Sequence, residues 1–432
     1  MTTDGIKTSS KWMRFVIVVD EYFMRVLALL FLLLYMFSYL EDCHGPPIRA
    51  DGVGYYAYLP AIFIYKDPSF HQLASAQYEG TLSPWMGLWL HPATGRYVDG
   101  YYIGVAMLMT PFFLAAHFVT WALSSPPGGY DWWKLNHAMD GYTLFYQHAA
   151  GLSGVFYALL GIFLLKKSLA RLFPSVIVLA TLLALIFGTN LLNYATGETV
   201  LSHPYSFFLT SCLLLCIPAW YRDPTLKTST LLGLVAALLV LVRPTNVLAL
   251  LLAPLWGVAD RTAIKDRISF LLTHKRHICM AALISIAVIG LQFLMWRYSS
   301  GQWIFESYSF ATRTASKASI FDFGNIHILP LLFSLRAGLF FWSPVLICVV
   351  LGMPCLYKFA KDLVLPIGLI ILAHLFIIAS IPAWHYGGNF PHRGVVELYG
   401  LMAFPCAALF LFVKNYGSKV ITSGLVLFLF VG

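Results

Sequence analysis

Val26-Leu-Ala-Leu-Leu-Phe-Leu-Leu-Leu-Tyr-Met-Phe-Ser-Tyr-Leu40 decides the fold class. Fifteen residues without a charge, entered from Lys7, Lys11, Arg14 and Arg25 and left through Glu41-Asp42, read as a first membrane span. No small-residue cleavage pattern follows it, so the span is expected to be retained. Asp20 and Glu21 interrupt the apolar run before it, which predicts a short interfacial helix over 11–22.

Outward from this run, apolar stretches recur along the whole chain. The composition is 59% hydrophobic and 11% charged, with a mean hydropathy of +0.76. This excludes an ordinary soluble domain and predicts one all-α polytopic integral membrane domain over 1–432. Candidate spans are 23–40, 143–165, 175–194, 205–221, 229–243, 246–259, 278–297, 337–357, 363–382, 398–413 and 418–432, about eleven in all.

The net charge of +9 does not indicate a nucleic-acid partner. Lys166, Lys167 and Arg171, Arg222 and Lys227, Arg261 to His277, Lys358 and Lys361, and Lys414 and Lys419 fall in alternate loops, the pattern of cytoplasmic loops. Placing these inside with the 1–22 segment leaves 41–142 as a first outer loop, ahead of a helical bundle over 143–432. The segments 195–204, 298–336 and 383–397 are also left outside. Residues 101–122 break the alternation if they cross, so Pro111 predicts a bent or re-entrant hairpin there. The tyrosines of Asp51-Gly-Val-Gly-Tyr-Tyr-Ala-Tyr-Leu-Pro60 suggest a short aromatic helix at the lipid interface. Cys43 alone of seven cysteines is in an outer segment, and the rest read as packing residues.

The polar clusters gather in the outer segments. Asp51 either caps the helix that follows or acts as a base, and Asp99-Gly-Tyr and Asp140-Gly-Tyr share its local pattern. Glu198 is a candidate second acid or metal ligand. His203 precedes Pro204 and could simply bond a carbonyl, and Arg393 could pair with Glu397 four residues on. Arg243 and Arg336 stand at helix ends, where interfacial snorkelling is an alternative to a site role. Asp51, Glu198 and the histidines show no metal-ligand spacing, so no metal or other cofactor is expected. His374, inside an apolar run, reads as a core histidine.

Arg49-Ala-Asp-Gly-Val-Gly-Tyr-Tyr-Ala-Tyr-Leu-Pro-Ala61 resembles the first-loop motif of bacterial GT-C membrane glycosyltransferases related to protein mannosyltransferases. Ile103-Gly-Val-Ala, Thr110-Pro-Phe-Phe113, Ser202-His-Pro-Tyr-Ser-Phe-Phe208, Arg243-Pro-Thr-Asn246, Arg336-Ala-Gly-Leu-Phe-Phe-Trp-Ser-Pro344 and Trp384-His-Tyr-Gly-Gly-Asn-Phe-Pro-His-Arg393 follow in the order of that group. The resemblance covers roughly residues 20–400 and implies a GT-C-like fold in a bacterial cytoplasmic membrane. It implies transfer of a sugar from a polyprenyl-phosphate donor to a lipid, glycan or protein hydroxyl on the outer face. Asp51 is then the catalytic carboxylate, with Arg243, Arg393, Arg336 and His392 on the donor phosphate. Glu198, His203 and Asp99 are left for a second acid or the acceptor. Relatives resembling aminoarabinose transferases carry Lys-Pro-Pro where this chain has Asp99-Gly-Tyr-Tyr102, which shifts phosphate binding to the arginines. The alternative is a transporter or lipid-linked sugar flippase, for which polar breaks in paired halves are expected.

Overall fold

The computed structural model describes residues 3–40, 45–78, 87–123, 138–305, 307, 320–386 and 391–418. The 418–432 span and Cys43 therefore lie outside the described residues, apart from Ser418. Helices dominate. Among the described residues, seven are long and apolar enough to cross a membrane.

The first is α1, Thr3–Leu40, one helix where the sequence suggested an interfacial piece followed by a span. Asp20 does not break it, because Lys166 sits 2.9 Å from its carboxylate. Then come α2 (Asp51–Phe63), α3 (His71–Tyr78) and an antiparallel hairpin, β1 (Leu88–His91) with β2 (Arg96–Asp99), pairing Leu88 with Asp99. The hairpin is the one short β element among the described residues, and the chain is otherwise helical, consistent with the all-α expectation. Next are α4 (Gly104–Leu123), α5 (Leu144–Leu169), α6 (Ser175–Gly188), α7 (Leu191–Thr196), α8 (Ser202–Arg222) and α9 (Leu226–Val242). A 3-10 helix, Pro244–Leu251, runs into α10 (Leu252–Leu255). The chain continues through α11 (Arg261–Thr273), α12 (Lys275–Ser300), α13 (Ile328–Phe333), α14 (Leu339–Trp342), α15 (Ile347–Phe359) and α16 (Lys361–Ala379). After a 3-10 turn at Pro344–Leu346 ahead of α15, a further 3-10 helix, Arg393–Leu398, leads into α17 (Tyr399–Tyr416).

Side-chain pairings give the helix directions. Lys166–Asp20 and Tyr35–His148 run α5 antiparallel to α1. Gly154 lies against Thr199, Gly161 against Phe207, and Ser168 bonds the Leu214 carbonyl, so α8 runs parallel to α5. Trp220 bonds Ser229 while Arg243 meets His203, so α9 returns. Lys358 stands over the Tyr416 ring, and Gly352 packs on Pro405, which aligns α15 with α17. The basic loops thus collect at one end with the start of α1. The polar clusters of the sequence collect at the other.

Two expectations change in the first loop. Pro111 stands inside a single helix, α4, where a hairpin was expected. The hydroxyls of Thr110 and Tyr157 bond the carbonyls of Ala106 and Leu108 around it, each at 2.9 Å. Gly104 abuts Leu241 and Val242, and His117 bonds Tyr146 near the start of α5. So α4 begins beside the residue before Arg243 and leaves toward the polar end, and Lys166 stays with Asp20. The second change concerns α2. Every residue from Gly52 to Ala61 is buried, so its tyrosines are core residues whose hydroxyls find protein partners, not lipid headgroups. Tyr55 bonds Ser202, Tyr56 the Gly141 carbonyl and Tyr58 the Tyr101 carbonyl.

The expected span 246–259 is the 3-10 helix and α10. Asn246 bonds Ser206 near the start of α8, and Tyr221 near its end bonds the Ala253 carbonyl. A 3-10 helix rises about 2.0 Å per residue against 1.5 Å for an α-helix. That stretch lets a few residues travel nearly the length of α9.

Candidate functional site

The site begins at a strained turn. Ala50 has φ 46° and ψ −130°, an unusual conformation for a residue with a Cβ. It sends the flanking side chains to different partners. Arg49 reaches Glu198 at 2.9 Å, and Asp51 reaches Arg393 at 2.8 Å. Asp51 is the first residue of α2, where the helix N-terminus favours a carboxylate, and Tyr101 hydrogen-bonds it.

The far wall comes from the end of the chain. His392 takes a left-handed backbone conformation, φ 60°, and opens the 3-10 helix that carries Arg393 and Glu397. Glu397 is only 2% exposed. Its Oε1 lies 3.0 Å from Arg243 Nε and 3.4 Å from His203 Nδ1. Both carboxylate oxygens lack a well-aligned hydrogen bond, so Arg243 holds Glu397 chiefly by charge. Arg243 Nη1 stands 3.4 Å from both ring nitrogens of His203, lying against the imidazole. Thus His203 faces Glu397 and Arg243, and Arg393 pairs with Asp51, where the sequence had offered a carbonyl and Glu397.

Tyr386 joins the two halves. The guanidinium carbons of Arg243 and Arg393 lie 5.7 and 5.6 Å from its ring centroid. Gly394 makes room for the ring, since a Cβ there would come within 2.9 Å of it. Burial raises the Tyr386 hydroxyl above its ordinary pKa. Burial and then the Asp51 charge do the same for Tyr101, so both stay protonated hydroxyls.

Asp51, Tyr101, His203, Arg243, Tyr386 and Arg393 line one cavity of about 110 Å³. A cavity of about 220 Å³ at the basic end is lined by Trp220, Tyr221, Leu232 and Pro254 and is wholly apolar. Only the smaller one holds convergent polar groups. In its wall, Nε of Arg393 is buried without a hydrogen-bond partner. An unpaired buried donor is uncommon in a finished core and suits a ligand with acceptor oxygens. Two arginines face two carboxylates here, so the cavity region is close to charge-neutral.

The remaining sequence candidates disperse. Arg336 is exposed and joins neither the cavity nor any ion pair among the described residues. Glu198 holds Arg49 outside the cavity wall. Asp99 is buried in β2, its Oδ1 accepting from the Tyr101 amide at 2.8 Å, and burial drives its pKa well above the usual carboxylate range. It therefore places Tyr101 as a neutral acid. His392 is buried beside the cavity, and burial lowers its pKa to about 4. His374 bonds the Gly394 carbonyl at 3.0 Å as a core histidine. Among the described residues no cluster of three or more His, Cys, Asp or Glu could hold a metal.

Sequence reasoning missed Tyr101 and Tyr386 as wall residues. The one available clue was that each stands in a Gly-flanked aromatic motif, Asp99-Gly-Tyr-Tyr102 and Trp384-His-Tyr-Gly-Gly388. No family model, curated protein or solved structure matches this chain.

Proposed function

We propose that this protein is a GT-C-like glycosyltransferase that moves a sugar from a polyprenyl-phosphate donor to an acceptor hydroxyl. The acceptor would be a lipid, a glycan or a protein. In this reading the chain sits in a bacterial cytoplasmic membrane with its cavity facing outside.

The observation that carries the reading is the Asp51–Arg393 pair beside Arg243 at one cavity. A sugar transfer needs a base for the attacking hydroxyl and cations for the departing phosphate, and both are within reach of one another here. The donor phosphate would take the N–H groups of Arg393, including the unpartnered Nε, and release Asp51 from its ion pair. Asp51 then accepts the acceptor's proton while the anomeric carbon–phosphate oxygen bond breaks. The electron pair of that bond leaves on the phosphate, held by Arg393 and Arg243. Without donor, Asp51 stays engaged with Arg393, which disfavours activation of stray water.

Reconstitution in vesicles with labelled polyprenyl-phosphate sugars tests this. The expected result is sugar transfer with release of polyprenyl phosphate, and a lipid-linked sugar that accumulates in cells lacking the protein. Movement of intact lipid-linked sugar between leaflets without bond cleavage would overturn it in favour of a flippase.

A further inference from the structure

The outer-end arginines divide into two kinds. Arg49, Arg243 and Arg393 each face a carboxylate. Arg96 and Arg297 have no ion pair among the described residues. They flank a groove of about 560 Å³ between the hairpin and the end of α12, floored by Leu294, Met295, Tyr298 and Pro68. Each is fixed in direction. Arg96 donates to the Tyr298 carbonyl and lies 4.7 Å over the Tyr298 ring. Arg297 donates to the Gly301 carbonyl and lies 6.0 Å from the Trp303 ring. A guanidinium has five N–H donors, so most remain for a ligand.

Below the groove, α12 is the least covered of the candidate spans, with 11% of its apolar window buried. Leu283, Ile286 and Leu294 are 62%, 65% and 54% exposed. An apolar column ending in arginines, a tyrosine and Trp303 has the order of a membrane span reaching the headgroup layer.

We propose that this groove binds the phosphodiester headgroup of an anionic phospholipid on Arg96 and Arg297, with an acyl chain lying along α12. Neither arginine has an ion pair among the described residues, the groove opens onto the exposed apolar shaft of α12, and its lining shares no residue with the Asp51 cavity. A phospholipid is favoured over a free anion because the apolar column continues the site. Capping of the α12 carbonyls, where Gly301 has φ 80°, is the simpler role for both arginines. It predicts no lipid preference.

The test uses the full chain in phosphatidylcholine nanodiscs, titrated with brominated phosphatidylglycerol. The signal is the fluorescence quenching lost on Trp303→Phe. Phosphatidylglycerol should quench this signal at lower content than brominated phosphatidylcholine. Each of Arg96→Gln and Arg297→Gln should weaken the preference about fivefold, and the pair about 25-fold. Arg96→Lys/Arg297→Lys should keep most of it and controls for folding. Equal quenching by both lipids, or a preference that survives the double Gln variant, would overturn the proposal. So would competition by inorganic phosphate, or by polyprenyl phosphate at far lower content than phosphatidylglycerol. Asp51→Asn should leave the quenching unchanged, so failure of the transferase reading leaves this result standing.

Discussion

Three Asp-Gly steps share a local sequence and part ways in the fold. At Asp99 the carboxylate turns back on the Tyr101 amide, and at Asp140 on the amides of Tyr142 and Thr143 at 2.7 and 3.1 Å. These are Asx turns, closed within a few residues. At Asp51 the same side chain leaves its own turn and meets Arg393 from the far end of the chain. The local pattern therefore indicates only that an aspartate can fold back. Whether it does depends on what packs opposite, and opposite Asp51 stands a guanidinium.

The comparison is broken most directly by replacing the carboxyl group at each of the three. Asp51→Asn is expected to lower transfer about 100- to 10,000-fold with unchanged abundance, while Asp99→Asn and Asp140→Asn retain most activity per molecule. Equal loss in all three, measured as labelled-sugar incorporation per folded protein, would return Asp51 to a folding role. The partner comes next. Arg393→Lys and Arg243→Lys should each reduce kcat/KM for the phosphate-bearing donor about tenfold or more, because a lysine cannot offer two parallel N–H groups. Binding of a lipid sugar without phosphate should not change.

Smaller effects belong to the turns. Asp140→Ala should destabilise the protein by about 0.5–2 kcal/mol, the usual cost of losing such a cap, seen as a lower Tm without a change in KM. The narrowest effect is that of pH on His392, confined to the acid range. Burial lowers its folded pKa from 6.5 to about 4, so between those values the unfolded chain binds the extra proton. Stability contributed by neutral His392 is then full above about pH 6.5 and falls as pH drops toward 4. His392→Gln should flatten the Tm profile in that window, and an unchanged profile would remove His392 as its source.

How much of this was legible follows from what water and lipid each penalise. A charge in hydrocarbon is costly, so the separation of basic loops from polar clusters was written in the spacing of Lys, Arg and apolar runs. The buried state of α2 was not, because Tyr55, Tyr56 and Tyr58 satisfy either a headgroup layer or a core with polar partners. Four-residue strands such as Leu88–His91 are too short for alternation to stand out. Pro111 looked like a break because the hydroxyl of Tyr157, far along the chain, was not there to be read. Within the site, Asp51, Arg243, Arg393 and His203 were visible as polar residues between spans. Their pairing was not, and Arg336 shows that being polar and outside is insufficient. The 3-10 helix hid for a different reason. It buries Asn246, Ala249 and Leu252, a period of three that matches neither helix nor strand templates.

That overwound segment bears on how the protein is made. Eight 3-10 residues and four α-helical ones fall well below the roughly 20 apolar residues that enter a bilayer unaided. Pro244–Leu255 must therefore be threaded together with α9, as a single hairpin whose leading tip is Arg243. Hauling a guanidinium through hydrocarbon costs about 2.5–3.5 kcal/mol on insertion scales, against about 0.3–0.6 returned by each leucine, isoleucine, phenylalanine or valine behind it. The leucine-rich arms on both sides of Arg243 are thus a condition of biogenesis as much as of packing, and polar substitutions there should trap the nascent chain before it ever folds.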